Sequence, residues 1–299
     1  MPNYGLGIFT ALLAPISHAW SNIIDSQFSN HVFPRLSVLV LFSMLFNLAL
    51  LPIIVIISPP HFVAPPLLGL IFCISLIEVL YLFPYYWSLK RTDTSVVASL
   101  FSVGEVAVPI LAFFFLHERL AQLQYVGFAL VIISAIALTL DLKKLRLDAS
   151  FFFMLAASLI LAIEAILYKF VYLQGVSWGT VMVAGTFFQV LIILPLALRS
   201  GLGPIREGFS KARSAGWLFL GNEFLGSVGN LGNSFALSAI PVTIVKAIGA
   251  TQPAFVLGYA YLFRKKHSAF FKEKVSRSDA FRKVFFFALT VIGVLLVVT

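Results

Sequence analysis

Glutamates stand near the middle of three long apolar stretches of this chain, Glu78, Glu105 and Glu164, and Lys246 lies a turn inside another. Charges are costly in lipid, so such groups face a bundle interior or a wet path and commonly mark a route for solute or ions. Ser95, Ser99, Ser102, Glu105 and Pro109 recur at spacings of three and four, which reads as one polar face of a helix that should line a cavity. The plainer alternative is that Glu105 only bonds a neighbouring helix. In a cavity, a carboxyl group can hold a proton or a cationic solute by turns, and Glu105 would then couple the two movements.

Other polar groups share faces in the same way. Glu78, Tyr81, Tyr85 and Ser88 fall together in a ring-rich run, Tyr81 to Trp87, where aromatic faces beside a carboxylate could hold an organic cation or could anchor a helix end at the interface. Glu223, Ser227, Asn230 and Ser234 share a face of a glycine-rich segment, and Asn230 and Asn233 could orient a polar metabolite. Lys246 shares a face with Gly249 and Pro253, near Gln252, and could take a substrate carboxylate or phosphate or pair with Glu105 or Glu223. His18 could titrate or simply hydrogen-bond between helices. Lys169 is expected to snorkel to the interface, with Asp25 as its counterpart in a repeat. The single cysteine, Cys73, reads as a packing residue and excludes a disulfide within the chain and a thiolate metal cluster. No phosphate-binding Gly-Lys-Ser/Thr loop, His-Glu-x-x-His or Gly-x-Ser-x-Gly is present, so neither catalysis nor a cofactor or metal is expected.

The elements that must position these groups follow from composition. With 60% hydrophobic and 11% charged residues, the chain is too apolar for one water-soluble core. Apolar stretches long enough to cross a bilayer core of about 30 Å recur with short gaps. Ten spans are expected: 4–24, 36–57, 67–89, 93–116, 123–140, 151–172, 178–198, 216–237, 242–263 and 284–298. Runs such as Leu39-Val40-Leu41-Phe42 contradict the alternation of an outer-membrane barrel. The first stretch has no basic leader and reads as a retained helix. The net charge of +9 does not imply a nucleic-acid partner, because the basic residues sit at helix ends. All Lys and Arg except Arg119, Lys169 and Lys246 fall in or beside alternate loops, which places those loops inside and both termini outside.

The spans divide after the run 141–148 into five and five, and halves with an odd number of helices insert in opposite orientations. Sliding the fourth span onto the ninth pairs Glu105 with Gln252 at an offset of 147; the first and sixth spans align at 144. Tyr86 to Ala98 running into Gly104-Glu105, then Phe115-Leu-His-Glu-Arg-Leu120 and Gln124 to Leu130, resemble the drug/metabolite transporter superfamily in its ten-helix EamA-type members. Ala250-Thr-Gln-Pro-Ala-Phe255 is similar to the corresponding second-half region, with Gln252 in place of an acid. The sequence departs from the pattern at Val106, where the family has proline, and at Arg264-Lys265-Lys266, which replaces a second Glu-Arg loop.

The resulting expectation is an all-α integral membrane protein with ten transmembrane helices as two inverted five-helix repeats, residues 1–146 and 147–299. It would reside in the cell's inner membrane as a monomer with lipid, protons and a small-molecule substrate as partners. The resemblance implies metabolite or drug export by alternating access, and termini inside the cell. The charged residues suit an amino-acid-like or organic-cation cargo, with proton coupling. An uncoupled facilitator or channel, and a scaffold without transport, are the alternatives.

Overall fold

The computed structural model describes residues 4–33, 35–91, 94–139, 149–263 and 277–299. All regular structure among them is helical. α1 (Tyr4–Gln27) runs into a π-helical turn, Phe28–Val32, and is followed by α2 (Leu36–Ile57), α3 (Pro65–Leu80), α4 (Leu82–Leu89), α5 (Thr94–Glu105), α6 (Val108–Leu116) and α7 (Gln122–Thr139). The later part holds α8 (Ala149–Leu173), α9 (Trp178–Leu198), α10 (Leu202–Ala215), α11 (Trp217–Ala239), α12 (Val242–Gly249), α13 (Gln252–Phe263) and α14 (Arg277–Val298). Six stretches are long and apolar enough to cross a membrane: Tyr4–Gln27, Leu36–Ile57, Pro65–Leu89, Val96–Leu116, Phe151–Leu173 and Trp178–Leu198; Gln122–Ala137 and Phe285–Val298 are shorter apolar helices. The run 141–148 and the basic run at 264–266 lie outside the described residues.

Three of the expected spans are broken, each four residues before a proline. Proline has no N–H and its ring crowds the carbonyl four residues back. Pro84 thus interrupts the third span beside Leu80, where α3 ends and Tyr81 forms a turn. Pro109 acts on Glu105, the last residue of α5, and Val106 and Ala107 complete tighter bonds to Val103 and Gly104. Pro253 acts on Gly249, the last residue of α12. The fourth- and ninth-span breaks therefore correspond at an offset of 144, the offset of the first and sixth spans, and not at the 147 that pairs Glu105 with Gln252.

The strongest helix contacts join early to late elements: α1 with α11, α7 with α14, α2 with α9 and α5 with α8. α7 and α14 approach backbone to backbone at glycines, since a Cβ on Gly127 would lie 2.7 Å from the Gly293 carbonyl oxygen. Two apolar clusters bracket the middle. One gathers Val108, Ala112, Leu237, Ile240 and Val245; the other gathers Phe28, Phe33, Val38, Met154 and Phe219. α10 was not expected: its Ile205 and Ala212 pack on the second cluster, and Gly208 is buried against Val38 and Phe42. Cys73 is exposed on the outer surface and is no core packing residue, because α3 turns that side away from its neighbours.

Candidate functional site

Between the two apolar clusters lies a cavity of about 220 Å³, lined from α1, α2, α3, α4, α5, α8, α9, α11 and α12 together with Gln252. The candidates named from sequence lie on the first, third, fourth, sixth, eighth and ninth spans; α2 and α9 contribute as well. His18, Glu78, Tyr81, Tyr85, Glu105, Glu164, Glu223, Asn230, Lys246 and Gln252 all line it. Ser102 does not. It is buried and donates to the Ala250 carbonyl at 3.4 Å, which the break between α12 and α13 leaves without its usual helical donor. Ser99 is buried too, and the expected continuous serine face reduces to Glu105 with Phe101 beside it.

Glu78 is held from two sides: Tyr168 donates to Oε1 at 2.7 Å and Gln189 donates to Oε2. Glu164, buried on α8, meets the Glu78 carboxyl group within hydrogen-bonding reach. A hydrogen bond between two carboxyl groups needs a proton on one of them. Two donors already on the Glu78 oxygens favour the proton on Glu164. This pair was legible only as two separate glutamates; Tyr168 and Gln189 were missed, being ordinary polar residues in apolar helices.

Glu105 and Lys246 are held loosely. Glu105 Oε2 has no hydrogen-bond partner, and among the described residues Lys246 Nζ has neither a hydrogen bond nor an ion pair. The ammonium acts electrostatically on Glu105, Glu164 and His18 without closing on any of them. Gly249 makes room for Glu105, whose Oε1 lies 3.3 Å from where a Cβ would be. The two helix breaks thus meet at the cavity wall.

A further set, near the C-terminal half of α1, was missed in part. Asp25 accepts from Asn222 Nδ2 at 2.8 Å and from the Tyr85 hydroxyl at 3.0 Å, and Asn22 Oδ1 lies 2.7 Å from the same hydroxyl. Tyr81, Tyr85, Tyr86 and Phe101 form a ring cluster here, with Tyr85 and Tyr86 centroids 4.9 Å apart. Tyr85 and Tyr86 are buried, so they are no interface anchors. On α11, Ser227 donates to Asn47 Oδ1 at 2.6 Å, which fixes an α2 amide on the cavity wall.

At the other end, two charged side chains hold helix termini. The Glu118 carboxylate accepts from the Val242 and Thr243 N–H groups, both at 3.0 Å, at the start of α12. Lys169 donates to the Leu237 and Ile240 carbonyls at 3.0 and 2.9 Å, at the end of α11. It does not snorkel to the interface, because those carbonyls at a helix end are nearer and unsatisfied.

Comparison with known proteins fits this arrangement of apolar helices around a charged cavity. Residues 5–140 match the EamA-like transporter family. Those residues, a little under half of the chain, are similar to a family that is part of the drug/metabolite transporter superfamily. With six helices long and apolar enough to cross a membrane, the protein is a multi-pass membrane protein. A solved crystal structure, 15% identical, has a TM-score of 0.63 and covers 99% of this chain and 98% of its own, so the fold is shared well beyond the EamA match. No curated protein matches.

Proposed function

We propose that this chain is a secondary active transporter of a small polar or charged organic metabolite, amino-acid-like or an organic cation, working by alternating access with proton coupling. One observation carries the reading: carboxyl groups from α1, α3, α5, α8 and α11 and one unpaired lysine meet in a cavity enclosed by apolar helices. A scaffold has no use for so many desolvated charges, which are costly to keep in a bilayer. The working unit is a monomer of ten crossings: α1, α2, α3 with α4, α5 with α6, α7, α8, α9, α11, α12 with α13, and α14. Halves 1–146 and 147–299 act as inverted repeats, a reading supported by proline breaks 144 residues apart. The inner membrane is its setting. A facilitator, the alternative reading, needs a continuous wet pore and would carry solute without regard to a proton gradient.

The test is transport in liposomes with labelled amino acids and organic amines as separate pools, with and without a pH gradient, for the parent and Glu105→Gln. Gradient-driven accumulation by the parent and its loss in the variant is expected. Flux that only equilibrates and ignores the gradient would favour the facilitator, and a variant with unchanged pH dependence would remove Glu105 from coupling.

A further inference from the structure

The cavity has a second polar pole, apart from Glu105 and Lys246. Asp25, Asn22 and Asn222 are 7%, 5% and 3% exposed there, so each is more than nine-tenths buried. Asn22 Nδ2 and Asn222 Oδ1 have no hydrogen-bond partner although both residues line the cavity. The Asn222 amide is oriented by its N–H on the Asp25 carboxylate, so its carbonyl oxygen is the free end. The Asn22 amide is set by Tyr85, and here one proton faces two acceptors. The Tyr85 hydroxyl lies 2.7 Å from Asn22 Oδ1 and 3.0 Å from Asp25 Oδ2.

With Asn222 donating to Asp25, two arrangements satisfy that geometry. With a proton on Asp25 Oδ2, Asp25 donates to the Tyr85 oxygen, Tyr85 donates to Asn22, and the Asn22 N–H is left without an acceptor at the cavity wall. With Asp25 ionised, Tyr85 donates to Asp25, the Asn22 amide turns over to donate to Tyr85, and a carbonyl oxygen is left without a donor there. Amide oxygen and nitrogen exchange places at no steric cost. In the ionised arrangement the free ends are two amide oxygens, from Asn22 and Asn222, beside the carboxyl group of Glu223, which adjoins Asn222. The groups facing Asp25 from its neighbours are Tyr81, Tyr85 and Tyr86 of the α3–α4 segment and Asn222 and Glu223 of α11, with Ser21 on α1 itself. None of these is a cation.

We infer that Asp25, Asn22, Asn222 and Glu223 form a receiving site for a primary ammonium group, the cationic head of the carried solute. An ammonium has three donors and no acceptor, which matches two amide oxygens and a carboxylate. Tyr85, Tyr86 and Phe101 wall the space beside it, where an apolar stem can lie against the rings. No group of three or more His, Cys, Asp or Glu side chains among the described residues is placed to hold a metal ion, which argues for an organic head over a divalent cation. The proton on Asp25 and the ammonium are alternative occupants, since the protonated arrangement leaves an N–H of Asn22, and no acceptor, for the incoming donor. That the ammonium belongs to a carried solute rests on the transport reading above; that the pole binds one does not.

The experiment measures thermal stabilisation of the purified protein by n-butylammonium, 1,4-diaminobutane, tetramethylammonium, sodium and potassium chlorides at matched ionic strength, for the parent, Asp25→Asn and Asn222→Ser. The primary amines are expected to raise the midpoint and tetramethylammonium, which has charge but no N–H, to leave it unmoved. The apparent affinity should fall about tenfold or more in each variant. Circular dichroism and elution profile establish that each variant is folded, and Asn222→Ser, which keeps the Asp25 charge, serves if Asp25→Asn is not. Stabilisation by sodium or potassium but not by amines would assign the pole to an alkali ion and overturn the inference, as would no stabilisation by any cation. Amines that bind but are not carried in liposomes would leave the site standing and defeat the transport reading. Transport of another solute, untouched in Asp25→Asn, by a protein that no amine stabilises would do the reverse.

Discussion

At the scale of single residues, the Glu78 and Glu164 pair makes opposite demands on its two members. Glu164 serves as a donor to Glu78, so Glu164→Gln replaces one donor by another and is expected to leave the thermal midpoint within about 1 kcal/mol of the parent in stability. Glu78 accepts on both oxygens, from Tyr168 and Gln189. Glu78→Gln turns one of those acceptors into an N–H facing a donor, and should cost about 1–3 kcal/mol, measured by thermal unfolding in detergent. Equal effects of the two substitutions would mean that the pair is not polarised in this way. Such roles are not written in sequence. Glu78, Glu164 and Glu105 were conspicuous as charges among apolar residues, whereas Asn22, Asp25, Tyr168 and Gln189 acquire meaning only from what the folded helices set beside them.

At the scale of elements, the breaks are the decisive feature. Pro109 leaves the Glu105 carbonyl free and ends α5 at the residue whose side chain enters the cavity. Pro109→Ala restores the N–H, so α5 and α6 should join, the Glu105 carboxyl should shift, and transport should fall while stability holds or rises; a variant that transports normally would show that the break is not needed. Packing makes a separate demand at Gly104, where a Cβ would run into the Ser158 backbone, while Gly221 has nothing within 4 Å. Gly104→Ala should destabilise by about 1–3 kcal/mol by forcing α5 off α8, and Gly221→Ala should be neutral or stabilising, both read from thermal unfolding. The helical class and the apolar spans were legible from run length alone. The serine face on α5 misled, because steps of three fall behind a 3.6-residue turn by about 60° each, so Glu105 lies about 120° round the helix from Ser99. On α11, by contrast, Glu223, Ser227, Asn230 and Ser234 alternate steps of four and three, stay on one side, and all reach the cavity. α10 escaped notice because it is short and carries Arg206, Glu207, Lys211 and Arg213, so that length and hydropathy both pass over it.

At the scale of the whole molecule, alternating access requires that one end of the cavity be held shut by contacts that can be released together. Glu118, in the loop after α6, and Lys169, on α8, both act on the junction of α11 and α12, one on exposed N–H groups and the other on exposed carbonyls. Helix termini carry partial charges that these side chains complement, each contact being worth about 0.3–1 kcal/mol at an exposed end and more where partly buried. Packed at the same junction is the apolar cluster that includes Ile240 and Val245. On the proposed alternating-access reading, two charges acting on one junction would form a latch whose removal biases the equilibrium by about 1–3 kcal/mol, or about five- to 150-fold in the population open at that end. Asn233 lines the cavity, and Cys73 can be replaced by serine, so a single cysteine at 233 reports access from each side of a liposome membrane to an impermeant thiol reagent. In that background, Glu118→Gln with Lys169→Met should raise the labelling rate from the side of the α11–α12 junction and lower it from the other, because the two openings draw on one population. A rise from both sides would mean that the variant has become leaky. An unchanged ratio would mean that the apolar cluster alone keeps this end closed and that Glu118 and Lys169 only cap their helices.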